Sequence, residues 1–302
     1  MISDRTKGFL LGTIGAACYG TNPIFAIPLY KDGMDSLSVL FFRYLLAIPV
    51  VIAMLYMKKG RLTLKRKNSA GIILMGVLMA ISSLALFISY DYIGAGIAST
   101  LLFLYPIMVA LIMSFFFHEK SGIVTALSII IATGGVCLIT LKPDGTTISL
   151  FGTIAVTTSA LSYAIYLVYI NVSNLKNVPS LMITLYILVV GSVMFAIIIL
   201  FGQGLTFPRH PIYWLNVIGL AILPTALSFY STTKAITYIG STPTAILGAF
   251  EPLTAVFLGA VILNEAITPR IAVGFVLVIS GVSLIIARKD IVKLAGKIRR
   301  HL

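Results

Sequence analysis

Residues 244–265, TAILGAFEPLTAVFLGAVILNE, place one carboxylate, Glu251, inside an apolar run, with Pro252 directly after it. About ten mostly apolar residues flank Glu251 on each side, enough to set it near the middle of a membrane span. A charge at that depth costs about 2.5–3.5 kcal/mol on insertion scales, so the group must face a polar interior and find a partner. Two chemistries fit a carboxylate there: reversible binding of a proton, or pairing with the amine of a cargo molecule. A structural hydrogen bond made by the protonated acid is the architectural alternative. Arg43 is the second ionisable group set in an apolar run. It could attract an anionic cargo group, or it could form a salt bridge, with Asp91 as partner, or snorkel to the interface. Tyr19, Asn22, Tyr105 and Tyr163 offer hydroxyl, amide and aromatic surfaces suited to lining a cavity, with Tyr166 and Tyr230 as weaker members of the set. Pro106 and Pro252 each remove a backbone donor, so each is a candidate hinge or kink.

These groups need elements to hold them, and composition decides which. The 302 residues are 59% hydrophobic and 10% charged, with a mean hydropathy of +1.06. Soluble domains carry about 25% charged residues, so the solvent expected here is lipid. Charge, Gly and Pro divide the chain into ten apolar segments near 8–29, 37–56, 70–90, 95–117, 122–141, 149–170, 180–201, 213–233, 241–263 and 269–287. Each is about as long as a membrane helix requires. Continuous apolar runs of that length exclude barrel strands, which alternate over about ten residues. The first segment is too long for a signal-peptide core and is read as a retained helix.

The net charge of +13 raises the question of nucleic acid. Its placement answers it. With ten helices, the loop at 58–67 and the tail at 288–300 fall on the same side as the N-terminus. Most of the Lys and Arg are there, whereas Lys31, Lys142, Arg209 and Arg270 fall on the other side. That bias puts both termini in the cytoplasm of a multi-pass inner-membrane protein, with anionic lipid rather than nucleic acid as the basic residues' partner. Residues 289–302 read as a basic amphipathic helix lying on that face. Cys18 and Cys137, and His118, His210 and His301, lack metal-site spacing, and no nucleotide or nucleophile motif is present. No metal, cofactor or enzyme activity is expected. The oligomeric state is left open.

The chain also repeats itself. In one ungapped register Pro106 falls on Pro252, Glu119 on Glu265, Gly94 on Gly240, and Gly135 on Gly281. A nearby register pairs Gly8 with Gly152 and Tyr19 with Tyr163. The units are 1–145 and 146–288, five helices each. Five is odd, so the second unit enters the membrane from the opposite side, the inverted-repeat plan of secondary transporters. Glu251 falls on Tyr105 and is therefore not part of the shared geometry. Gly8, Gly12, Ala16 and Gly20 form a small-residue stripe for close helix contact. Glu119 and Glu265 read as loop-anchoring or capping groups.

The chain resembles the drug/metabolite transporter superfamily, specifically EamA-type permeases, over essentially its whole length. FFRYLLA with Arg43, YIGAGIASTLLFLYP ending in Pro106, and YIGSTPTAILGAFEPLTAVFLGAVILNE with Glu251, Pro252 and Glu265 carry the resemblance. It implies a carrier that exports or exchanges small metabolites, amino acids among them. The expectation is an all-α integral membrane protein of ten transmembrane helices in two inverted five-helix repeats. It would work by alternating access on a small-molecule substrate, with protons as a candidate coupling ion. An importer, an exchanger, a lipid-carrier flippase, or a non-transporting receptor or assembly protein are the alternatives.

Overall fold

The computed structural model describes residues 3–58, 68–119, 122–140, 149–202, 204–263 and 269–298. The basic loop at 59–67, Lys120, Lys142, Glu265, His301 and the last four residues of the tail lie outside them. Among the described residues every regular element is helical. Six helical stretches are long and apolar enough to cross a membrane: Asp4–Lys31, Ser36–Met57, Ser69–Ile93, Leu150–Val172, Ser180–Phe201 and Pro211–Ile239. Shorter apolar helices cover Tyr105–Phe117, Ile123–Leu138 and Pro269–Ile285. Large apolar side chains such as Phe115, Phe116, Leu200 and Phe201 are exposed, as a lipid-facing surface demands.

The first span is two helices. α1 (Asp4–Gly20) is capped by the Ser3 hydroxyl, which accepts the Thr6 amide. α2 (Asn22–Lys31) is separated from α1 by Thr21 alone, with Pro23 in its first turn. That is the position where a missing N–H costs nothing. α3 (Ser36–Met57) is capped by Asp35, which accepts the Ser38 amide. The expected loop between the third and fourth segments, near Asp91–Gly94, is absent. α4 (Ser69–Leu102) runs through it, and the chain breaks at Phe103-Leu104 before α5 (Tyr105–Phe117). The reason is Pro106: a proline ring clashes with the carbonyl four residues back, which here is that of Leu102. α6 is Ile123–Thr140, α7 Leu150–Val172 and α8 Ser180–Phe201.

The eighth segment holds Pro224. α9 (Trp214–Ala221) gives way to a π-helical turn, Ile222–Leu227, before α10 (Ser228–Ile239). Gly240 then stops the helix with φ +85°, a value that glycine tolerates. α11 (Ser241–Leu247) is short and ends five residues before Pro252, much as α4 ends four before Pro106. α12 is Phe250–Leu263 and α13 Pro269–Ile298. Residues 282–294 hold neither Gly nor Pro. Accordingly α13 continues into the tail, and residues 289–298 extend the last helix rather than starting a new one.

Glycines set the closest helix crossings, and the contacts come in reciprocal pairs. Gly8 backs onto Tyr238 and Ile239, and Gly152 onto Tyr92 and Ile93. Gly135 lies against the Gly274 carbonyl and Val278 amide, and Gly281 against the Ser128 carbonyl and Ala132 amide. A Cβ at Gly281 would sit 2.8 Å from both backbone atoms, whereas one at Gly134 would meet nothing within 4 Å. Gly281→Ala is therefore expected to cost about 1–3 kcal/mol through overpacking that backbone cannot relieve. Gly134→Ala is expected to be neutral or to stabilise by up to about 1 kcal/mol, the propensity difference. Thermal unfolding in one detergent compares them; equal shifts would mean that the α6–α13 contact is not as close as described.

Residues 32–38 are clasped to residues 206–210. Thr206 donates to Asp35 at 2.7 Å, and its amide donates to the Ser38 hydroxyl at 2.9 Å. Asp32 accepts the Arg209 amide at 2.6 Å and pairs with His210 Nδ1 at 2.6 Å. Burial alone would raise the Asp32 pKa, but the hydrogen bonds from the His210 ring and the two backbone amides outweigh it and hold the carboxyl below its usual value. The clasp is accordingly complete above the ordinary carboxylate range and is lost as pH falls through the lowered value.

Candidate functional site

Both broken helices aim their second halves at the same point. In each, the residue after the break starts a new helix: Tyr105 heads α5, and Glu251 lies in the first turn of α12. The Leu104 amide bonds back to Leu101, and the Glu251 amide to Gly248 at 2.9 Å, so the breaks are tight turns with paired backbone. Pro106 and Pro252 are thus not kinks within continuous helices. Each lies in the first turn after a break, and each break is where a hinge would act. Positions 105 and 251 fall on each other in the sequence register, and here they meet: Tyr105 and Glu251 line the same small cavity.

Glu251 lines a small cavity of about 50 Å³ with Tyr19, Asn22, Tyr90, Tyr105 and Pro252. Several apolar residues, including Leu86, Leu102 and Phe103, line the rest of it. Its size admits a water molecule or two. Gly20 lets α1 lie against the Glu251 carbonyl and Thr254. Tyr105 is almost fully buried, and Tyr163 packs edge-on against it at 4.8 Å. Tyr163 also stacks on Tyr166 at 5.8 Å, and the Tyr166 hydroxyl pairs with Thr233 at 3.2 Å. Tyr163 is not in the cavity wall; it supports Tyr105 from behind. Tyr230 lies away from the site, where Lys58 donates to its hydroxyl.

Gly248 has a specific role. The Tyr105 hydroxyl lies where a Gly248 Cβ would stand, and the phenol carbon bearing it would be 2.7 Å from that Cβ. Gly248→Ala is expected to displace the ring from Glu251 and cost about 1–3 kcal/mol. Adding Tyr105→Phe should recover part of that loss, a coupling of at least about 0.5 kcal/mol. Strict additivity of the two substitutions in thermal unfolding would contradict the contact.

Arg43 is fully buried and lines no part of this cavity. It donates to Thr225 Oγ1 at 2.6 Å, Asn22 Oδ1 at 3.1 Å and the Pro224 carbonyl at 3.2 Å. Tyr19, Tyr44, Phe87 and Phe229 surround the guanidinium at 5.4–6.0 Å. The salt bridge with Asp91 is not formed; Asp91 lines a neighbouring cavity instead. The π-helical turn explains Arg43's partners. Thr225 donates to the Leu220 carbonyl, and Pro224's own carbonyl turns to Arg43. Elsewhere, Glu119 accepts from Thr242 at 3.2 Å and so ties the end of α5 to the start of α11. Tyr90 in the cavity wall was not singled out from the sequence. Its only signal is that it follows Leu86, another lining residue, by one helical turn.

The model of the EamA-like transporter family matches residues 6–141 and 150–287. The chain is 27% identical over 270 residues to an uncharacterized transporter of Archaeoglobus fulgidus, covering 89% of this chain and 92% of that one. It is 22% identical over 264 residues to the uncharacterized transporter YoaV of Bacillus subtilis, covering 83% and 88%. YetK, an uncharacterized transporter of the same bacterium, is 24% identical over 255 residues, covering 82% and 77%. A solved crystal structure superposes with a TM-score of 0.80 over 93% of this chain and 98% of its own, at 16% identity, a likeness of fold alone.

Proposed function

This chain belongs to the EamA-like transporter family, and from that premise we propose that it is a secondary transporter that exports small metabolites such as amino acids by alternating access. The observation that carries the proposal is the meeting of Glu251 with Tyr105 at the junction of two broken helices, in the wall of one cavity. Half-helices that end at a shared point beside a cavity are how such carriers build a site. Glu251 binds a proton or a cargo amine in turn, while Tyr105, Tyr19 and Asn22 furnish the remaining polar contacts. Protons are the coupling ion in this reading.

Ten transmembrane helices in two inverted repeats, 1–145 and 146–288, complete the proposal. Its support is the reciprocity of the glycine contacts: Gly8 on Tyr238–Ile239 mirrors Gly152 on Tyr92–Ile93, and Gly135 on α13 mirrors Gly281 on α6. Two halves related in that way have two arrangements of similar energy, which is what alternating access needs. Both termini are placed in the cytoplasm, on the inner face of the cell membrane.

Counterflow in proteoliposomes loaded with each standard amino acid is the direct test. Uptake of at least one labelled amino acid above protein-free vesicles is expected, and in vesicles without internal amino acid net uptake should accelerate when the interior is made more acidic, protons leaving as the amino acid enters. No uptake of any would reject the amino-acid cargo, and indifference to the pH gradient would reject proton coupling. A tag placed after Leu302 should be inaccessible from outside intact cells.

A further inference from the structure

A second cavity of about 210 Å³ adjoins the first. Asn22, Pro23 and Tyr90 line both, so the two share a wall and differ in their far ends. Glu251 closes one end. At the other is Asp91, an exposed carboxylate beside the aromatic rings of Tyr30, Phe87 and Tyr90. Those rings pack against one another, Tyr30 on Phe87 at 6.2 Å and Phe87 on Tyr90 at 5.6 Å. No cationic side chain among the described residues pairs with Asp91. The Tyr30 hydroxyl is buried and has no well-formed hydrogen bond, although Ser36 approaches it. A carboxylate with aromatic faces around it is the recognition chemistry of ammonium groups.

We propose that this cavity is a second binding site, at the rim, for the ammonium end of a small organic cation or zwitterion, with Asp91 as its counter-ion. The volume is right for an alkylammonium group of a few carbons with some water. Charge fixes the orientation. Arg43 lies behind Asn22 and Phe87, donating to Asn22 Oδ1 and 5.9 Å from the Phe87 ring. It repels a cation from the inner end and confines it to Asp91. With Asn22 Oδ1 engaged by Arg43, the Asn22 NH₂ is the group left to meet an acceptor on the ligand. The site is separate from Glu251 and does not depend on the direction or coupling proposed above.

The test uses the purified full chain in detergent, with Cys18→Ala and Cys137→Ala removing both native cysteines. Ile27, which lines the rim cavity and is partly exposed, is changed to Cys. Labelling rates are measured with aminoethyl (cationic) and sulfonatoethyl (anionic) methanethiosulfonate. Asp91→Asn is expected to lower the cationic-to-anionic rate ratio by about tenfold, the low end of what a charged cleft contributes to local concentration. Asp91→Glu should retain it. Propylammonium chloride should slow labelling and sodium propionate should not, and this protection should survive Glu251→Gln. An unchanged ratio in Asp91→Asn, equal protection by the two ions, or no labelling of Ile27→Cys would overturn the proposal. Protection that disappears in Glu251→Gln but persists in Asp91→Asn would assign the cation to the central carboxylate, leaving that site standing and removing this one.

Discussion

Glu251→Gln is expected to lower gradient-driven transport by about 10- to 100-fold, the worth of one charge-assisted hydrogen bond to cargo or proton. The amide has the shape of the acid and fits the same place beside Tyr105, so the variant should remain folded and elute as the parent does. What it cannot do is release and rebind a proton. Transport by Glu251→Gln should therefore lose its response to an imposed pH gradient. Counterflow, which needs no driving ion, should suffer less if Glu251 serves the proton and equally if it binds the cargo amine. Unchanged transport together with an unchanged pH response would remove Glu251 from the mechanism and leave the acid as an architectural hydrogen-bonding group.

Arg43→Met is expected to act on stability first. The substitution leaves Thr225, Asn22 and the Pro224 carbonyl without their donor in the protein interior. Leaving a buried acceptor without its donor costs about 1–3 kcal/mol each, so the three together are expected to lower Tm by roughly 10 °C for a chain of this size. Arg43→Lys keeps the charge but not the planar fork, so one ammonium cannot serve three acceptors on two elements. It should fall between the parent and Arg43→Met. A cargo ligand would behave in the opposite way, since removing it weakens binding and spares the fold. An Arg43→Met protein with the parent's Tm and impaired transport would accordingly return Arg43 to the cargo-binding residues.

The two arginine roles considered from the sequence differ in one thing the sequence does not contain, namely what lies beside residue 43. Thr225 and Pro224 are about 180 positions away along the chain. They reach Arg43 from the π-helical turn that contains Pro224. The prolines themselves were legible. Each helix ends at or just before the residue whose carbonyl a proline ring would strike, at Leu102 for Pro106 and Leu247 for Pro252. The loop expected at Asp91–Gly94 failed for a related reason. Glycine permits a break without requiring one: Gly240 takes a positive φ, whereas Gly94, its partner in the register, lies within α4.

By itself the sequence determined the class of molecule, because so many apolar residues and so few charges leave lipid as the only adequate solvent. It also marked Glu251, since a lone carboxylate in such a run stands out on cost alone. Only the tertiary structure decided which groups meet: Glu251 with Tyr105, Arg43 with the π-turn, Asp91 with an aromatic cavity. The physical reason is that periodicity marks a buried face only when the opposite face is polar. Here the outward faces are apolar too; Ile197 and Leu200 of α8 are exposed while Phe195 and Ile199 beside them are buried. With core and lipid selecting the same residue types, the facing of each helix is set by close contacts such as those at Gly8, Gly135 and Gly281, and those contacts exist only in three dimensions.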